Sequence, residues 1–550
     1  EIYRDDKVAC LANRSEVNLQ LECYEEAFGD ARAALSIKSD NSKARFRMTK
    51  ALSRLGKASE AKQLAEIQLM SELSSKDRLT WNNLVEECSR LILEEGGTYD
   101  YDCMRREEAD LVEKKLSRSE KRQQPMFHAN FASPRVEIGV TVTKQQSGVS
   151  YRGCKAIEDL EEGELVLAGK AFAFADRIAE GKSNTEEERG SDRLVGCVAR
   201  KIWKCPSLGR RFYSLSGAEH LGEIDPDDMD MVDLPRIRAM LSANTFSLME
   251  ENASTLLNWK KMHMSPSQFK SEVEAAFNKK GSGLWLQHSM LNHSCTPNCV
   301  WSTIGEFMFV TTTRPIAKGD ELCISYIPVE TVYEDVQRRF ANWIDINIGF
   351  CCACDHCHLF RTRKDLRKLA KQVDDAYNEA SAISRAKKIS ASDAAEMVLP
   401  KTRRKFILEQ FAHLPLHLQH ASIAKLHALE ANIQKSQGDD IGALRSCERA
   451  ADIGYAIRGN GTFDYFKDTW RVVGVAMSCQ KVDVACASLN RIWKHSEFQG
   501  MPFEQAKSAF KDLSLQYSLP WWTDKFDADC SKRLSSLVDD VCSRRQRKGE

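Results

Sequence analysis

The sequence predicts a multidomain α+β protein with helical regions at both ends and a β-rich centre. Its 550 residues exceed what one hydrophobic core usually organises, so several domains are expected. Apolar residues recur at helical spacing in residues 8–70 and again beyond residue 361. Between them, residues 134–330 contain short runs of β-branched and aromatic residues separated by glycine-containing turns, a pattern typical of strands.

The balance of charge and the lack of long apolar runs limit which binding partners the sequence predicts. Lys+Arg and Asp+Glu number 79 each, so no overall field favours nucleic acid or an anionic membrane. The N-terminal residues "EIYRDDKVAC" do not have the pattern of a signal peptide, and no apolar run reaches the roughly 18 residues that a membrane span needs. We expect a soluble protein of the cytoplasm, the nucleus or both, without membrane or direct nucleic-acid binding. The basic end "SRRQRKGE" leaves a nuclear-import signal open.

The first 95 residues contain an internal repeat. "LECYEEA" at Leu21–Ala27 returns as "LGKASEA" at Leu55–Ala61, and the shift of 34 residues is the tetratricopeptide period. We predict tetratricopeptide-like helical repeats over residues 1–95, with a generic helical hairpin as the alternative. Residue 1 falls inside a repeat, so we expect the array to be truncated there.

The remaining boundaries follow from changes of pattern along the chain. Residues 96–130 are charged and poor in large apolar side chains, as in a linker with some helix. The β-rich domain is predicted over 131–345, with a helical insertion at about 185–280. A cysteine-rich segment occupies 346–362. Residues 363–550 are predicted to form an all-helical domain, in which two amphipathic helices flank the turn "QGDD" and resemble the N-terminal hairpins.

The cysteines predict a metal site. The chain has 19 cysteines, and Cys352, Cys354 and Cys357 form a C-x-C-x-x-C motif that suits a tetrahedral soft-ligand site but leaves it one ligand short. Cys295, in "NHSCTPNC", is the natural fourth ligand, and it would tie the cysteine-rich segment to the β-rich domain. In a reducing compartment such a cluster favours zinc over disulfides. Buried free thiols are the alternative.

Three motifs now carry a family resemblance. "SMLNHSCTPNC", "GDELCISYI" and "GFCCACDHC" resemble, in this order and with suitable gaps, motifs of the SET-domain protein-lysine methyltransferases. "GSGLWLQHSMLNHSC" and the C-x-C-x-x-C motif before a helical region are similar to the SMYD branch of that family. The resemblance covers about 130–360 well and about 365–530 in architecture only. It implies that 131–345 is a SET domain and that 346–362 is a zinc-binding post-SET segment.

Two departures define the branch. "SYRGCKAIEDLEEGE" resembles the G-x-G-x-x-A first element of SET domains, but Tyr151 replaces its first glycine, so only Arg152 and Gly153 carry over. The MYND zinc finger needs seven cysteines and a histidine, whereas residues 170–250 offer two cysteines. The sequence therefore predicts a SMYD-like protein that lacks the MYND finger and has helical repeats on either side.

The resemblance implies a site for the methyl donor S-adenosylmethionine. Asn292 and His293 would hold its adenine and amino-acid ends, Ser289 would add a hydroxyl, and Phe350 would lay its ring against the adenine. Without the resemblance, an Asn-His pair is more often a turn or a core pair, and Phe350 would pack beside the zinc. The implied donor-site residues are Arg152, Gly153, Ser289, Asn292, His293, Tyr326 and Phe350.

Tyr326, in "CISYI", is the implied catalytic residue, at the end of the methyl-transfer channel. A substrate lysine would attack the sulfonium methyl directly, which requires alignment and a neutral amine, although the ordinary lysine pKa is near 10.4. The zinc would be structural. Two functions stay open: an active methyltransferase acting on histone or non-histone lysines, or an inactive zinc-stabilised scaffold. In both, the helical repeats would bind protein partners.

Overall fold

The computed structural model describes most of the chain. The described residues are 2–101, 103–104, 106–107, 126–143, 150–175, 186–225, 231–247, 282–326, 352, 354–458, 463–493, 507, 511 and 528–548. Among the helices in these ranges, none combines the length and apolar character needed to cross a membrane.

Five helices form the N-terminal region. Their bounds are α1 Ile2–Gln20, α2 Tyr24–Ile37, α3 Ser42–Arg54, α4 Ala58–Leu69 and α5 Ser75–Glu95. The starts of α2 and α4 are 34 residues apart, from residue 24 to residue 58, which matches the sequence repeat. Ala27 of α2 and Ala61 of α4 are fully buried, because small side chains let neighbouring helices approach closely. The tetratricopeptide assignment stays a prediction.

The described residues at the centre of the chain form three small sheets. The strands are β1 Phe131–Ala132, β2 Val136–Thr143, β3 Ser150–Ala156, β4 Leu165–Lys170, β5 Ala173–Ala175, β6 Phe246–Ser247, β7 Ser282–Leu284, β8 Asn292–His293, β9 Cys299–Ile304, β10 Phe307–Thr312 and β11 Glu321–Ile324. One sheet has the order β1-β4-β10-β9, the second β2-β3-β11-β8 and the third β5-β7-β6. The alternating apolar stretches of the sequence thus lie in strands, as expected from their period.

The insertion between β5 and β7 is mainly helical where it is described. It contains α6 Glu186–Lys204, α7 Ser207–Tyr213 and α8 Leu234–Asn244. Their apolar faces share a core that includes Val198, Phe212 and Ile237, together with Leu284 of β7. A short 3-10 turn, His288–Met290, then leads into β8.

Helices follow the sheets. They are α9 Asp355–Thr362, α10 Lys364–Lys387, α11 Ala391–Val398, α12 Lys401–Ala412, α13 Ala421–Ser436, α14 Asp440–Arg458, α15 Phe463–Ser478, α16 Val482–Trp493 and α17 Ala528–Lys548. The turn "QGDD" separates α13 from α14, and these two helices pack closely against each other. The predicted arrangement of helical end regions around a β-rich centre is therefore confirmed.

Both helical regions are in contact with the β-rich centre. On the N-terminal side, Tyr99 and Met104, within the stretch predicted as a linker, are buried against Phe307 and Phe309 of β10. On the C-terminal side, the Arg314 guanidinium donates to Thr296 O at 2.9 Å and to Ala456 O of α14 at 2.6 Å. These contacts place α14 next to the loop that contains Cys295.

Candidate functional site

The site is built around an unusual strand pairing. β8 lies parallel to β11, with Asn292 opposite Cys323 and His293 opposite Ile324. The pairing continues through the Ser294 N–H, which donates to Ile324 O at 3.0 Å. The other edge of β11 is antiparallel to β3. Three segments that are distant in sequence therefore meet at one end of this sheet.

Asn292 connects β8 to two other strands of that sheet, β3 and β11. Its side-chain nitrogen donates to Arg152 O of β3 and to the Glu321 carboxylate of β11, both at 2.8 Å. Gly153 leaves room for this side chain, since a Cβ at position 153 would lie 2.7 Å from the Asn292 nitrogen and 3.0 Å from the Glu321 carboxylate. Position 153 therefore requires glycine, because any side chain there would clash with Asn292 and Glu321.

His293 points toward both Tyr326 and the cysteines. Its Nδ1 accepts from the Tyr326 backbone N–H at 2.9 Å, so the neutral ring carries its proton on Nε2. That Nε2 lies 3.3 Å from Cys295 Sγ. The imidazole is buried and ties the segment after β11 to the cysteine cluster.

The Tyr326 side chain has an anchored hydroxyl. The hydroxyl donates to Leu291 O at 2.6 Å, one residue before β8, while 36% of the residue stays exposed. Burial around the phenol, helped by the nearby Cys323 and Glu321, raises the pKa of Tyr326 above its usual value. The phenol therefore stays protonated at physiological pH and acts as a hydrogen-bond donor.

The four predicted cysteine ligands converge. The sulfur atoms of Cys295, Cys352, Cys354 and Cys357 lie within 4.8 Å of one another, and all four residues are buried. Cys295 Sγ is 3.9 Å from Cys352 Sγ and 3.4 Å from Cys357 Sγ. A tetrahedral zinc with bonds of about 2.3 Å holds its sulfur ligands about 3.8 Å apart, so this donor set fits one zinc ion.

Local structure orients this cluster. Cys354 is the N-cap of α9, and its sulfur accepts from the Cys357 N–H at 3.5 Å. The Arg361 guanidinium, one turn further along α9, donates to Cys352 O at 2.8 Å. The first turn of α9 and its preceding residues are thus held around the position that a metal would occupy.

Other predicted donor-site residues have different surroundings. The Ser289 hydroxyl is hydrogen-bonded to Trp285 O at 2.9 Å and Asn244 O at 3.3 Å, on the insertion side of the 3-10 turn. Arg152 offers its carbonyl to Asn292, whereas its guanidinium donates to Ser214 O at 2.8 Å. Phe350 lies outside the described residues. The roles of these residues stay predictions.

Sequence reasoning missed several residues that organise the site. Asn298 donates through its side chain to Glu321 O and accepts from the Cys323 N–H, both at 2.8 Å, which fixes β11 against the loop after Cys295. The Glu321 carboxylate holds Asn292. The available signal was weak, since an asparagine in "TPNC" and an acidic residue in "GDEL" are both common in turns.

His288 is a further buried polar residue that the sequence did not single out. Its Nε2 lies 3.2 Å from Met308 O of β10, and burial lowers the pKa of His288 to about 4. The ring is therefore neutral at physiological pH and donates to a strand carbonyl. This hydrogen bond holds the 3-10 turn against β10.

Comparison with known families agrees with this geometry. Residues 151–327 match the SET domain family, and they include β3, β8, β11 and Tyr326. These residues are similar in sequence to a SET domain. Of the motifs that carry the resemblance, "SMLNHSCTPNC" and "GDELCISYI" lie within the matched residues, whereas "GFCCACDHC" lies after them.

Proteins similar in sequence to this chain include named methyltransferases. A Gibberella zeae protein named "Methyltransferase" is 24% identical over 363 residues, covering 63% of this chain and 46% of that protein. The Eremothecium gossypii histone-lysine N-methyltransferase SET5 is 33% identical over 92 residues, 16% of this chain and 18% of the relative. The chicken (Gallus gallus) protein-lysine N-trimethyltransferase SMYD5 is 35% identical over 83 residues, 14% of this chain and 19% of the relative. The chain thus spans less than half the length of each of these relatives.

Proposed function

We propose that this protein is an S-adenosylmethionine-dependent protein-lysine N-methyltransferase. The observation that carries the proposal is the position of Tyr326 inside the SET domain, where its hydroxyl is anchored to Leu291 O and its backbone to His293. A protonated phenol is thereby held beside the strand that the resemblance assigns to the methyl donor. The names of the relatives support the same reaction class.

The proposed reaction is a direct displacement. S-adenosylmethionine, when bound, supplies the electrophilic methyl group on its sulfonium. The lysine amine must be neutral and in line with that methyl, so the protein contributes alignment and desolvation. Burial raises the pKa of Tyr326, and its only hydroxyl proton is donated to Leu291 O, so the phenol stays neutral and its oxygen lone pairs face the polarised methyl group.

S-adenosylmethionine would be held by β3, β8 and β11, which meet at one end of their sheet. Gly153 has no side chain, so the Asn292 amide can lie directly against β3. Both amide hydrogens of Asn292 are used within the protein, which leaves its side-chain carbonyl oxygen and the backbone of β8 to contact the donor. Ser289 and Phe350 complete the proposed set.

Zinc is proposed as a structural ion. Four cysteines complete a tetrahedral shell, and a catalytic zinc would need an open coordination position. The ion would fix Cys295, two residues from His293, and so hold the imidazole that contacts the Tyr326 backbone.

Two measurements test the proposal. Calorimetry measures binding of S-adenosylmethionine, and transfer of a labelled methyl group to histones and to a mixed protein extract measures the reaction. The matched control is the same acceptors after acetylation of their lysines, which removes the nucleophilic amine and should prevent labelling. Absence of donor binding at tens of micromolar, or binding without transfer to any acceptor, would favour the inactive scaffold.

A further inference from the structure

A second cluster of potential ligands lies where the N-terminal helices contact the SET insertion. The sulfur atoms of Cys23 and Cys205 and a carboxylate oxygen of Glu26 lie within 4.8 Å of one another. Cys23 stands at the N-terminus of α2, and Cys205 directly follows α6. Both cysteines are only 1% exposed, so the two thiols are buried in the contact between these helical regions.

The Glu26 carboxylate lies in direct contact with one of the two thiols. Glu26 Oε2 is 3.4 Å from Cys205 Sγ. Within the described part of the chain, Glu26 forms no ion pair, whereas the neighbouring Glu22 pairs with both Lys170 and Lys201. The Cys205 thiol donates to the Glu26 carboxylate, and a divalent cation would displace the thiol protons and bind the carboxylate and both sulfur atoms directly.

The types of ligand and their spacing favour zinc. Two sulfur ligands and one carboxylate are a donor set that suits zinc better than magnesium or calcium, which prefer oxygen alone. A tetrahedral zinc with bonds of about 2.3 Å to sulfur and 2.0 Å to oxygen holds these atoms about 3.5 Å apart. The distance of 3.4 Å between Glu26 Oε2 and Cys205 Sγ agrees with this value.

We propose that Cys23, Glu26 and Cys205 bind a second zinc ion, whose fourth position is taken by water. This site is independent of the methyltransferase proposal, because it shares no residue with the donor site or with the four-cysteine cluster. It links the first helical hairpin to the insertion of the SET domain across about 180 residues of sequence. Zinc binding therefore strengthens the attachment of the N-terminal helices to the catalytic domain.

The two zinc sites should differ in lability. The four-cysteine cluster encloses its ion with protein ligands, whereas three ligands and a water leave one position of the second site open to an incoming chelator. We expect a colorimetric zinc chelator to remove about one zinc per chain quickly and a second one much more slowly.

Metal content of the full chain tests the proposal. Purified protein, freed of loosely bound metal, should contain about two zinc ions per chain by elemental analysis. Cys23→Ser and Cys205→Ser should each retain about one, and the rapidly removed fraction should disappear. Cys88→Ser is the matched control, because Cys88 is equally buried in the N-terminal helices and belongs to neither cluster, so it should retain two.

Glu26→Gln keeps the proposal testable if the cysteine variants do not fold. The amide has the same shape but no charge, so zinc affinity at the labile site should fall at least about tenfold while the slow site is unchanged. The proposal is overturned if the parent holds one zinc that only a change in the four-cysteine cluster removes. Detection of a Cys23–Cys205 disulfide in place of a second zinc, by thiol counting in denaturant, would overturn it as well.

Discussion

Tyr326 and His293 are linked by a hydrogen bond of 2.9 Å from the Tyr326 backbone N–H to His293 Nδ1, and their rings lie 5.5 Å apart. The same imidazole contacts Cys295 Sγ through its other nitrogen. One side chain therefore connects the cysteine cluster to the residue proposed to promote methyl transfer. A substitution in the cysteine cluster should therefore also change binding of S-adenosylmethionine or the rate of methyl transfer.

Tyr326→Phe should separate methyl transfer from folding. The ring is kept, but the hydroxyl that donates to Leu291 O is removed. We expect the rate of transfer to fall by on the order of 10²–10³, the usual loss for one preorganised transition-state contact, while donor affinity and zinc content change little. Label transfer and calorimetry on the same preparation measure both quantities.

Tyr213→Phe is the matched control for that experiment. The Tyr213 hydroxyl is also bonded to the backbone, donating to Met231 O and accepting from the Asp233 N–H, but it lies in the insertion core. Its removal should lower stability without changing transfer per folded molecule. Equal transfer by Tyr326→Phe and the parent would show that Tyr326 is not catalytic.

Gly153→Ala should weaken donor binding first. The added methyl would lie 2.7 Å from the Asn292 nitrogen, so this side chain must leave its position between Arg152 O and Glu321. Asn292→Ala removes the same contacts without crowding the strand and should also lower donor affinity. We expect an affinity loss of about tenfold or more by calorimetry, from about 1.4 kcal/mol or more of lost interaction.

The matched control for the glycine variant is Gly196→Ala in α6. A Cβ there meets nothing within 4 Å, and alanine is the better helix former, so donor affinity should be unchanged and stability equal or higher. Unchanged donor affinity in Gly153→Ala would remove β3 from the proposed donor site.

Cys354→Ser should remove the zinc of the four-cysteine cluster. Serine can still cap α9 but is a poor zinc ligand, so the metal content should fall by about one ion per chain. Loss of a structural metal belongs to the substitutions that cost more than about 4 kcal/mol in the free energy of unfolding. Donor affinity should fall too, because His293 contacts Cys295.

Cys299→Ser tests whether a buried hydroxyl alone explains the effect of Cys354→Ser. Cys299 is buried at the start of β9 and is outside the cluster, so zinc content should be unaffected. If Cys354→Ser kept its full zinc content, the proposed ligand set would be wrong.

His288 should make stability depend on pH. Burial lowers its pKa to about 4 in the folded protein, against about 6.5 when unfolded, so the unfolded chain binds the extra proton between these values. The free energy of unfolding should therefore decrease as pH falls from about 6.5 to about 4. This group alone contributes up to about 1.4 kcal/mol per pH unit. Denaturant titrations of the parent and His288→Gln should show a smaller slope in the variant.

His427 provides a useful reference in that measurement. Burial lowers its pKa to about 4 as well, but it lies in α13, far from His288 in sequence. His427 should still contribute to the pH dependence of the free energy of unfolding in His288→Gln. The variant should therefore keep part of the slope seen in the parent. A slope identical in the parent and the variant would contradict the assigned protonation of His288.

The sequence predicted the features whose cause is local. A continuous run of aromatic, apolar and β-branched residues defines β10, and the turn "QGDD" separates α13 from α14. The meeting of Cys295 with the C-x-C-x-x-C motif was also predictable, because three thiols in six residues need a fourth ligand.

The parts that sequence reasoning missed depend on long-range topology. β8 has two residues, too few to show a period, and its parallel partner begins 29 residues later, from residue 292 to residue 321. Because that pairing was not predictable, neither were the hydrogen bonds of Glu321 and Asn298. The crowding at Gly153 arises from the same contact.

The position of β11 in its sheet has a consequence for synthesis of the chain. β3 pairs early with β2, but its other edge stays open until β11 emerges from the ribosome, from residue 156 to residue 321. Nascent domains fold from the N-terminal end, and an open strand edge is a template for aggregation. We expect chaperones to engage the nascent protein mainly during this interval, after the N-terminal helices have folded and before β11 covers β3.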